Sequence, residues 1–320
     1  MKPKIYDSFS FFNENDVLEI RLNTLYDYVD KFVIVEATKT HSGLDKPLYY
    51  DKERFKRFED KIIYVVLDEF PEFRTSWTYE NYQRNHIFNV LEKEKCSDND
   101  IIIISDLDEI ISASAIAQYA MNGEGITSLE QDMYYCFLNM KKLSDFVWDY
   151  AKIMHFSDFY NEENNNSNYT DFVLEELNQG ITPTKIRAIK TKRIIKNGGW
   201  HFSYLGNVEK IIEKLKSFSH QEFNKEEIVN KEFLLKQIEN ENDILGRNIK
   251  YRFVPIDSSF PEYIRKNRKN LSHYIHKVSL KNWLKYYGIF NYSEIKYKNV
   301  KRSCLEIFKI KINFKLKENK

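Results

Sequence analysis

Residues 100–110 read DIIIISDLDEI. Four consecutive isoleucines bounded by polar residues make a strand buried on both faces, and such strands occupy the middle of α/β sheets. In those sheets ligands bind beyond the carboxyl ends of the strands, so Asp106 and Asp108 fall where a ligand would sit. Alternation along an extended chain points both carboxylates the same way, with Leu107 turned into the core. Two like charges that close require a compensating cation, and hard oxygen ligands suit Mg²⁺ or Mn²⁺ shared with a substrate phosphate. A solvated acidic turn is the competing reading of so short a motif.

The 320 residues suffice for one large α/β domain with an appendage, or for two domains. With 42% hydrophobic residues and only 9 Gly and 6 Pro, the composition is globular rather than linker-rich or fibrous. Cys96, Cys136 and Cys304 are scattered and odd in number, which gives neither a disulfide framework nor a metal knuckle and points to a reducing compartment. No apolar stretch has the form of a signal peptide or a membrane span. The expected location is the cytoplasm.

Leu18, Leu22, Leu25 and Val29 recur at helical spacing, which predicts an amphipathic helix over Glu14 to Val29. Phe32 to Val35 predicts a buried strand ending in a polar loop that starts at Glu36 and Thr38. Ile62 to Leu67 predicts a second strand, ending in Asp68, and a helix over about Tyr79 to Lys95 carries Gln83-Arg84-Asn85. Ile101 to Ser105 is then the third strand. Strand and helix in alternation imply parallel strands with right-handed crossovers. Ser114 to Met121 reads as a helix and Met133 to Leu138 as a further strand. Residues 157–180, rich in Asn and acidic side chains, fit a lid or a surface insertion. A strand then enters a Gly198-Gly199 turn and the aromatic segment Trp200-His201-Phe202, followed by a helix with Val208, Ile211, Ile212, Leu215 and Phe218 inward.

Polar groups at three strand ends suit a nucleotide diphosphate, because base and ribose need hydrogen-bond partners and the diphosphate needs a cation. Neither the P-loop pattern nor G-x-G-x-x-G after the first strand is present. A haloacid-dehalogenase-type phosphatase also places D-x-D after an apolar strand, but wants Thr or Val where Ile110 stands and has the motif near its start.

The remaining class is a metal-dependent nucleotide-sugar transferase, and the chain resembles glycosyltransferase family 17. The resemblance rests on IYDSFSFFNENDVLEIRLNTLYDYVDKFVIVEATKTHSG at 5–43, KPLYY, Trp77 with Gln83-Arg84-Asn85, DIIIISDLDEI and GGWHFSYLG at 198–206. It spans residues 5 to about 220 and implies a GT-A fold, with a mostly parallel central sheet flanked by helices. The implied domain covers residues 1–255, with a donor half to about 110 and an acceptor half from about 111. A UDP-sugar donor, UDP-GlcNAc first, and inversion at the anomeric carbon are also implied. Asp106 and Asp108 would hold the metal, with His201 as third ligand or else as a packed core histidine. Glu36, Thr38 and Asp68 would line the uridine pocket, and Gln83, Arg84 and Asn85 would reach the diphosphate or ribose. Glu36 has a loop-capping alternative, Arg84 a simple ion pair. Trp200 is either a sugar platform or core. Inversion needs a general base, for which Asp149 is the first candidate and Glu109 and Asp158 the alternatives.

Residues 262–320 carry 16 Lys and Arg against 4 Asp and Glu, whereas the preceding 261 carry 33 against 44. Residues 256–320 therefore form a basic, aromatic C-terminal extension. It suits an anionic membrane surface, at the inner face of the plasma membrane, better than nucleic acid, for which no motif is present. A solvated basic tail is the plainer alternative. The expected acceptor is a glycan or lipid-linked saccharide hydroxyl, and the rival function is binding of a nucleotide sugar or carbohydrate without turnover.

Overall fold

The computed structural model describes residues 2–70, 76–143, 147–161, 181–279, 282, 283 and 286. Four parallel strands open the chain: β1 (Ile5–Phe11), β2 (Lys31–Ala37), β3 (Ile62–Leu67) and β4 (Ile101–Ile104). Helix α1 (Asn15–Leu25) connects the first pair, α2 (Lys52–Phe55) the second and α3 (Ser76–Lys93) the third. Their order in the sheet is β3-β2-β1-β4. The chain thus builds outward from β1 and then returns to its other side, leaving a switch point between the carboxyl ends of β1 and β4. Ligands of open α/β sheets bind at such a point.

The isoleucine run is buried on both faces. Ile101 and Ile103 join one apolar cluster with Leu18, Leu22 and Leu25 of α1. Ile102 and Ile104 join the opposite cluster with Ile87 and Leu91 of α3. Truncating one such side chain to Ala costs about 2–5 kcal/mol.

Beyond β4 the sheet changes character. The chain adds β5 (Glu109–Ile111), α4 (Ala113–Asn122), β6 (Thr127–Tyr135), β7 (Met140–Lys142), β8 (Lys152–His155), α5 (Pro183–Ala188), β9 (Ile194–Ser203), α6 (Val208–Ser217), α7 (Lys231–Glu239), β10 (Tyr251–Phe253) and α8 (Glu262–Lys266). The ten strands form one mixed sheet ordered β10-β7-β6-β8-β4-β1-β2-β3, with β9 beside β6 and β5 beside β9. Pairings of β8 with β4 and β6, of β7 with β6 and β10, and of β5 with β9 are antiparallel. β6 and β9 pair in parallel, so the expected mostly parallel sheet is wholly parallel over its first four strands and mixed beyond them. The return from β6 to β7 is too short for a crossover helix, and antiparallel pairing follows there.

Several expected elements shift. IYDSFSF forms the first strand although Asp7, Ser8 and Ser10 interrupt its apolar pattern. The strand expected at Met133 to Leu138 spans Thr127–Tyr135 and ends at Cys136, whose φ is 62°. GGWH is not a turn but the middle of β9. Of the Asn-rich stretch, Phe156–Tyr160 is a 3-10 turn and residues 162–180 lie outside the described residues.

The described architecture belongs to one compact unit, Met1–Val278, and a second unit is Ser279–Lys320. The first part of the basic segment lies within the first unit, where Tyr263 Oη donates to Glu19 at 3.2 Å and Tyr274 Oη to Asp16. Residues 287–320 lie outside the described residues. No described helix is long and apolar enough to cross a membrane.

Candidate functional site

The D-x-D segment is a turn between β4 and β5, not a continuation of the strand. A buried arginine shapes it. Arg21 sits in the apolar stripe of α1, between Leu18 and Leu25, and none of its side chain is exposed. Its guanidinium pairs with both oxygens of Asp7, at 2.5 and 2.8 Å, and donates to Ser105 Oγ at 2.6 Å. Its Nη1 donates to the carbonyls of Asp106, Leu107 and Glu109 at 2.7 to 3.0 Å. Gathering three carbonyls around one cation forces the backbone to curl. The two aspartates consequently face different partners rather than projecting side by side.

Asp106 accepts from Arg84 Nη2 at 3.0 Å and from Arg187 Nη2 at 2.7 Å. Arg84 comes from α3 and is braced by Glu80 at 2.5 Å. Burial opposes ionisation of Glu80, but Arg84, His41 and Ser219 prevail and hold its carboxyl down to about 2. The flanking residues of Arg84 are anchors. Gln83 Nε2 donates to the carbonyls of Phe11 and Val35, and Asn85 Oδ1 accepts from Thr184 N at the start of α5. Asn85 therefore docks the helix that carries Arg187.

Asp108 faces the opposite way. Its Oδ1 lies 3.4 Å from His201 Nε2 and its Oδ2 3.2 Å from Lys214 Nζ of α6. Burial raises the Asp108 pKa, yet Lys214 and His201 hold the carboxyl well below the usual carboxylate range. Lys214 also reaches Glu14 Oε1 at 3.1 Å. His201 arrives because β9 pairs with β5, setting His201 opposite Glu109. Gly199 permits that approach, since its φ is 149° and a Cβ there would meet Ile110 O at 2.1 Å. Alternation along β9 sends Trp200 to the other face, where its Nε1 donates to Ser259 O.

Glu109 is fully buried and fully committed. Arg187 pairs with both its oxygens, Trp148 Nε1 donates to Oε1 at 2.7 Å, and Asp106 N donates to Oε2 at 2.8 Å. Burial pushes its carboxyl up, but Arg187 outweighs this and holds it well below the ordinary range. Trp148 in turn packs its ring on His201, with centroids 4.2 Å apart.

A cleft of about 310 Å³ opens at the switch point, at the lower end of the range for small-molecule sites. Its floor is the tip of β1 (Ser10, Phe11, Phe12) with Asp106 and Asp108. Gln83, Arg84, His201 and Lys214 line its walls. Trp77, Trp148, Phe218, His220 and Phe223 give it an aromatic side.

Several expected site residues lie elsewhere. Glu36 does not line the cleft; it accepts from Lys46, from the backbone N–H groups of Tyr49 and Tyr50 and from Tyr64, and so caps the 46–50 loop. Thr38 bonds across to Leu67 O, and Asp68 is exposed beyond β3. The order β3-β2-β1-β4 accounts for this, because β1 separates the ends of β2 and β3 from the Asp106 turn. Asp158 caps the turn after β8, at His155, which pairs with Ile101 at the amino end of β4. That places it at the opposite edge of the sheet. Asp149 is not among the described lining residues, although Trp148 is.

Among the described residues, no three His, Cys, Asp or Glu side chains gather as a ligand set. The expected trio is reduced to a pair, because Arg84 and Arg187 hold Asp106 away. The pair fits a divalent cation. Bonds of about 2.1 Å at right angles separate two ligands by roughly 3 Å, close to the 3.4 Å found between Asp108 Oδ1 and His201 Nε2. His201 Nδ1 is buried with no hydrogen-bond partner among the described residues, and its Nε2, the atom that faces Asp108, is an ordinary metal-binding atom of a neutral imidazole. Mg²⁺ and Mn²⁺ commonly take few protein ligands and fill the rest with phosphate and water.

Rat and human β-1,4-mannosyl-glycoprotein 4-β-N-acetylglucosaminyltransferases are each 30% identical to the chain over 115 residues, which is 33% of the chain. The aligned stretch spans 21% of the rat protein and 22% of the human one, about a fifth of each. The mouse protein of the same name is 29% identical over 115 residues. Glycosyltransferase family 17 matches residues 1–293, nearly the whole chain, and the protein belongs to that family.

Proposed function

We propose that the chain is an N-acetylglucosaminyltransferase-like hexosyltransferase of GT-A architecture. It takes a sugar, GlcNAc first among candidates, from UDP and passes it with inversion to a glycan or lipid-linked hydroxyl. The observation that carries this is Asp108 beside His201 at the β1/β4 switch point, inside a cleft walled by cations and aromatic rings. Family membership and the named relatives support glycosyl transfer, and the parallel four-strand half followed by a mixed half supports GT-A.

Asp108 and His201 would hold a divalent cation, which supplies Lewis-acid stabilisation of the departing diphosphate. Lys214 and Arg84 add fixed positive charge along the same wall, oriented before any ligand arrives. Asp106, pinned by two arginines, keeps a partly exposed carboxylate at the cleft floor for the ribose or sugar hydroxyls. Phe11, Phe12, His41 and Gln83 form the end suited to the uracil, in place of Glu36, Thr38 and Asp68. The acceptor oxygen bonds to the anomeric carbon as the bond from that carbon to the phosphate oxygen breaks, and UDP leaves from the opposite face.

UDP release from a panel of UDP-sugars, with and without Mn²⁺, tests this proposal. Metal-stimulated release from one donor, lost on Asp108→Ala, is expected. Tight donor binding without release would favour the alternative of a nucleotide-sugar-binding protein. Association of the basic segment with anionic lipid is a separate proposal, tested by vesicle flotation of the full chain and of a chain ending at Val278. Equal flotation of the two would contradict it.

A further inference from the structure

Inverting transfer needs a group to take the acceptor proton, and most titratable groups in the cleft are already engaged. Glu14 accepts from Asn13 N at 3.2 Å and from Lys214. Glu80 is tied to Arg84 and Ser219, and Asp106 to two arginines. His41 has Gln83 on one ring nitrogen and Glu80 3.7 Å from the other. Asp108 and His201 form the pair described above.

His220 is different. Its Nδ1 lies 2.6 Å from Glu222 Oε1, and its Nε2 has no hydrogen-bond partner among the described residues. Three rings confine the imidazole: Trp77 edge-on at 4.6 Å, Phe218 at 5.6 Å and Phe223 at 6.1 Å between centroids. The local turn is fixed by Gln221, whose Nε2 donates to Phe218 O at 2.6 Å. The preceding residue, Ser219, donates to Glu80, which grips Arg84, which grips Asp106. Through the Ser219–His220 peptide bond, this run of side-chain contacts ties the position of His220 to the Asp106 end of the cleft. A carboxylate on Nδ1–H with a free Nε2 is the arrangement that orients a histidine as a base.

Resting on the transferase reading above, we propose that His220, oriented by Glu222, is the general base that deprotonates the acceptor hydroxyl. The acceptor O–H proton passes to Nε2 as the oxygen bonds to the anomeric carbon. The electron pair of the breaking C–O bond leaves with UDP, and the imidazolium is stabilised by Glu222. Trp77, with 42% of its surface exposed beside the ring, offers the acceptor sugar a stacking face.

UDP release from UDP-GlcNAc, with water or methyl β-mannoside as acceptor, reads the step. His220→Asn is expected to lower kcat by at least about 100-fold, to leave the Kd for UDP-GlcNAc within twofold, and to abolish the acid limb of the kcat profile. Glu222→Gln is expected to lower kcat while leaving the Kd for UDP-GlcNAc within twofold, because Nδ1 loses the carboxylate that orients the ring. Imidazole added to His220→Ala is expected to restore part of the rate. The other charged groups near the ring are Glu80 and His41 through Ser219, and Arg247 across Phe223, whose ring lies 6.0 Å from the guanidinium. Their substitution leaves the rescue by imidazole absent, which separates them from the base. A His220→Asn protein that keeps its kcat within threefold, or keeps the acid limb, overturns the proposal while leaving the transferase reading intact. A wild-type protein that neither binds UDP-GlcNAc nor releases UDP from it overturns both.

Discussion

Two polar turns face the same cleft and are built in opposite ways. The Asp106–Glu109 turn is held by partners drawn from six separate segments, from Arg21 in α1 to Lys214 in α6. The His220–Glu222 turn is held by neighbours within five residues and by ring contacts, and its two titratable side chains are about half exposed. Buried charges lose water and must be matched by fixed partners; exposed ones keep water and need only local support. The Asp106–Glu109 end is therefore set by the fold itself, whereas the rim can change without disturbing the fold. Substitutions at the first should cost stability and activity together, and at the second activity alone.

Arg21→Met offers the largest break in this comparison. It leaves Asp7 buried without its cation, a loss of about 3–5 kcal/mol, and frees the three carbonyls that shape the Asp106 turn. Urea denaturation checks it; a midpoint close to wild type would mean that the turn holds its shape without Arg21. Next in size, Asp108→Asn should reduce kcat/KM for the donor by at least about 100-fold. Lys214 keeps its contact with Glu14 in that variant, so the protein should remain folded by circular dichroism.

Acid sharpens the contrast. Glu80 is depressed to about 2 from an ordinary 4.5, so its stabilising contribution is complete above pH 4.5 and is lost as pH falls toward 2. Unfolding free energies at steps across that window should decline, and Glu80→Gln should flatten the slope. An unchanged slope in Glu80→Gln would show that the pairing with Arg84 is not linked to folding. The smallest expected effect is at the rim. Trp77→Ala should raise the acceptor KM about 10-fold, the loss of one stacking contact, with donor affinity and urea midpoint unchanged.

Part of this organisation is legible in the chain itself. The isoleucine run announces a central strand because an apolar run has only one place to go in such a sheet. Val208, Ile211 and Leu215 mark the buried face of α6 by period alone, and Gly199 marks a close backbone approach. The partners of the acidic turn are not legible in this way. Arg187 lies 81 residues from Asp106 and Lys214 lies 106 from Asp108, and hydrophobic periodicity carries no information on which distant polar groups will meet. Two local signals do exist. Arg21 interrupts the apolar stripe of α1 and Asp7 interrupts the apolar pattern of β1, and a charge where a core residue belongs implies a buried mate. Glu36 shows the reverse case, since a carboxylate at a strand's carboxyl end looks like a ligand group until the loop that it caps is in place.

The central claim is that the β1/β4 switch point binds a nucleotide sugar with its metal on Asp108 and His201. A crystal structure with UDP and Mn²⁺, with anomalous data at the manganese edge, tests it most directly. A peak within bonding distance of Asp108 and His201, with the diphosphate between it and Lys214, is the expected result. Manganese bound away from that pair, or UDP outside the cleft, would contradict it.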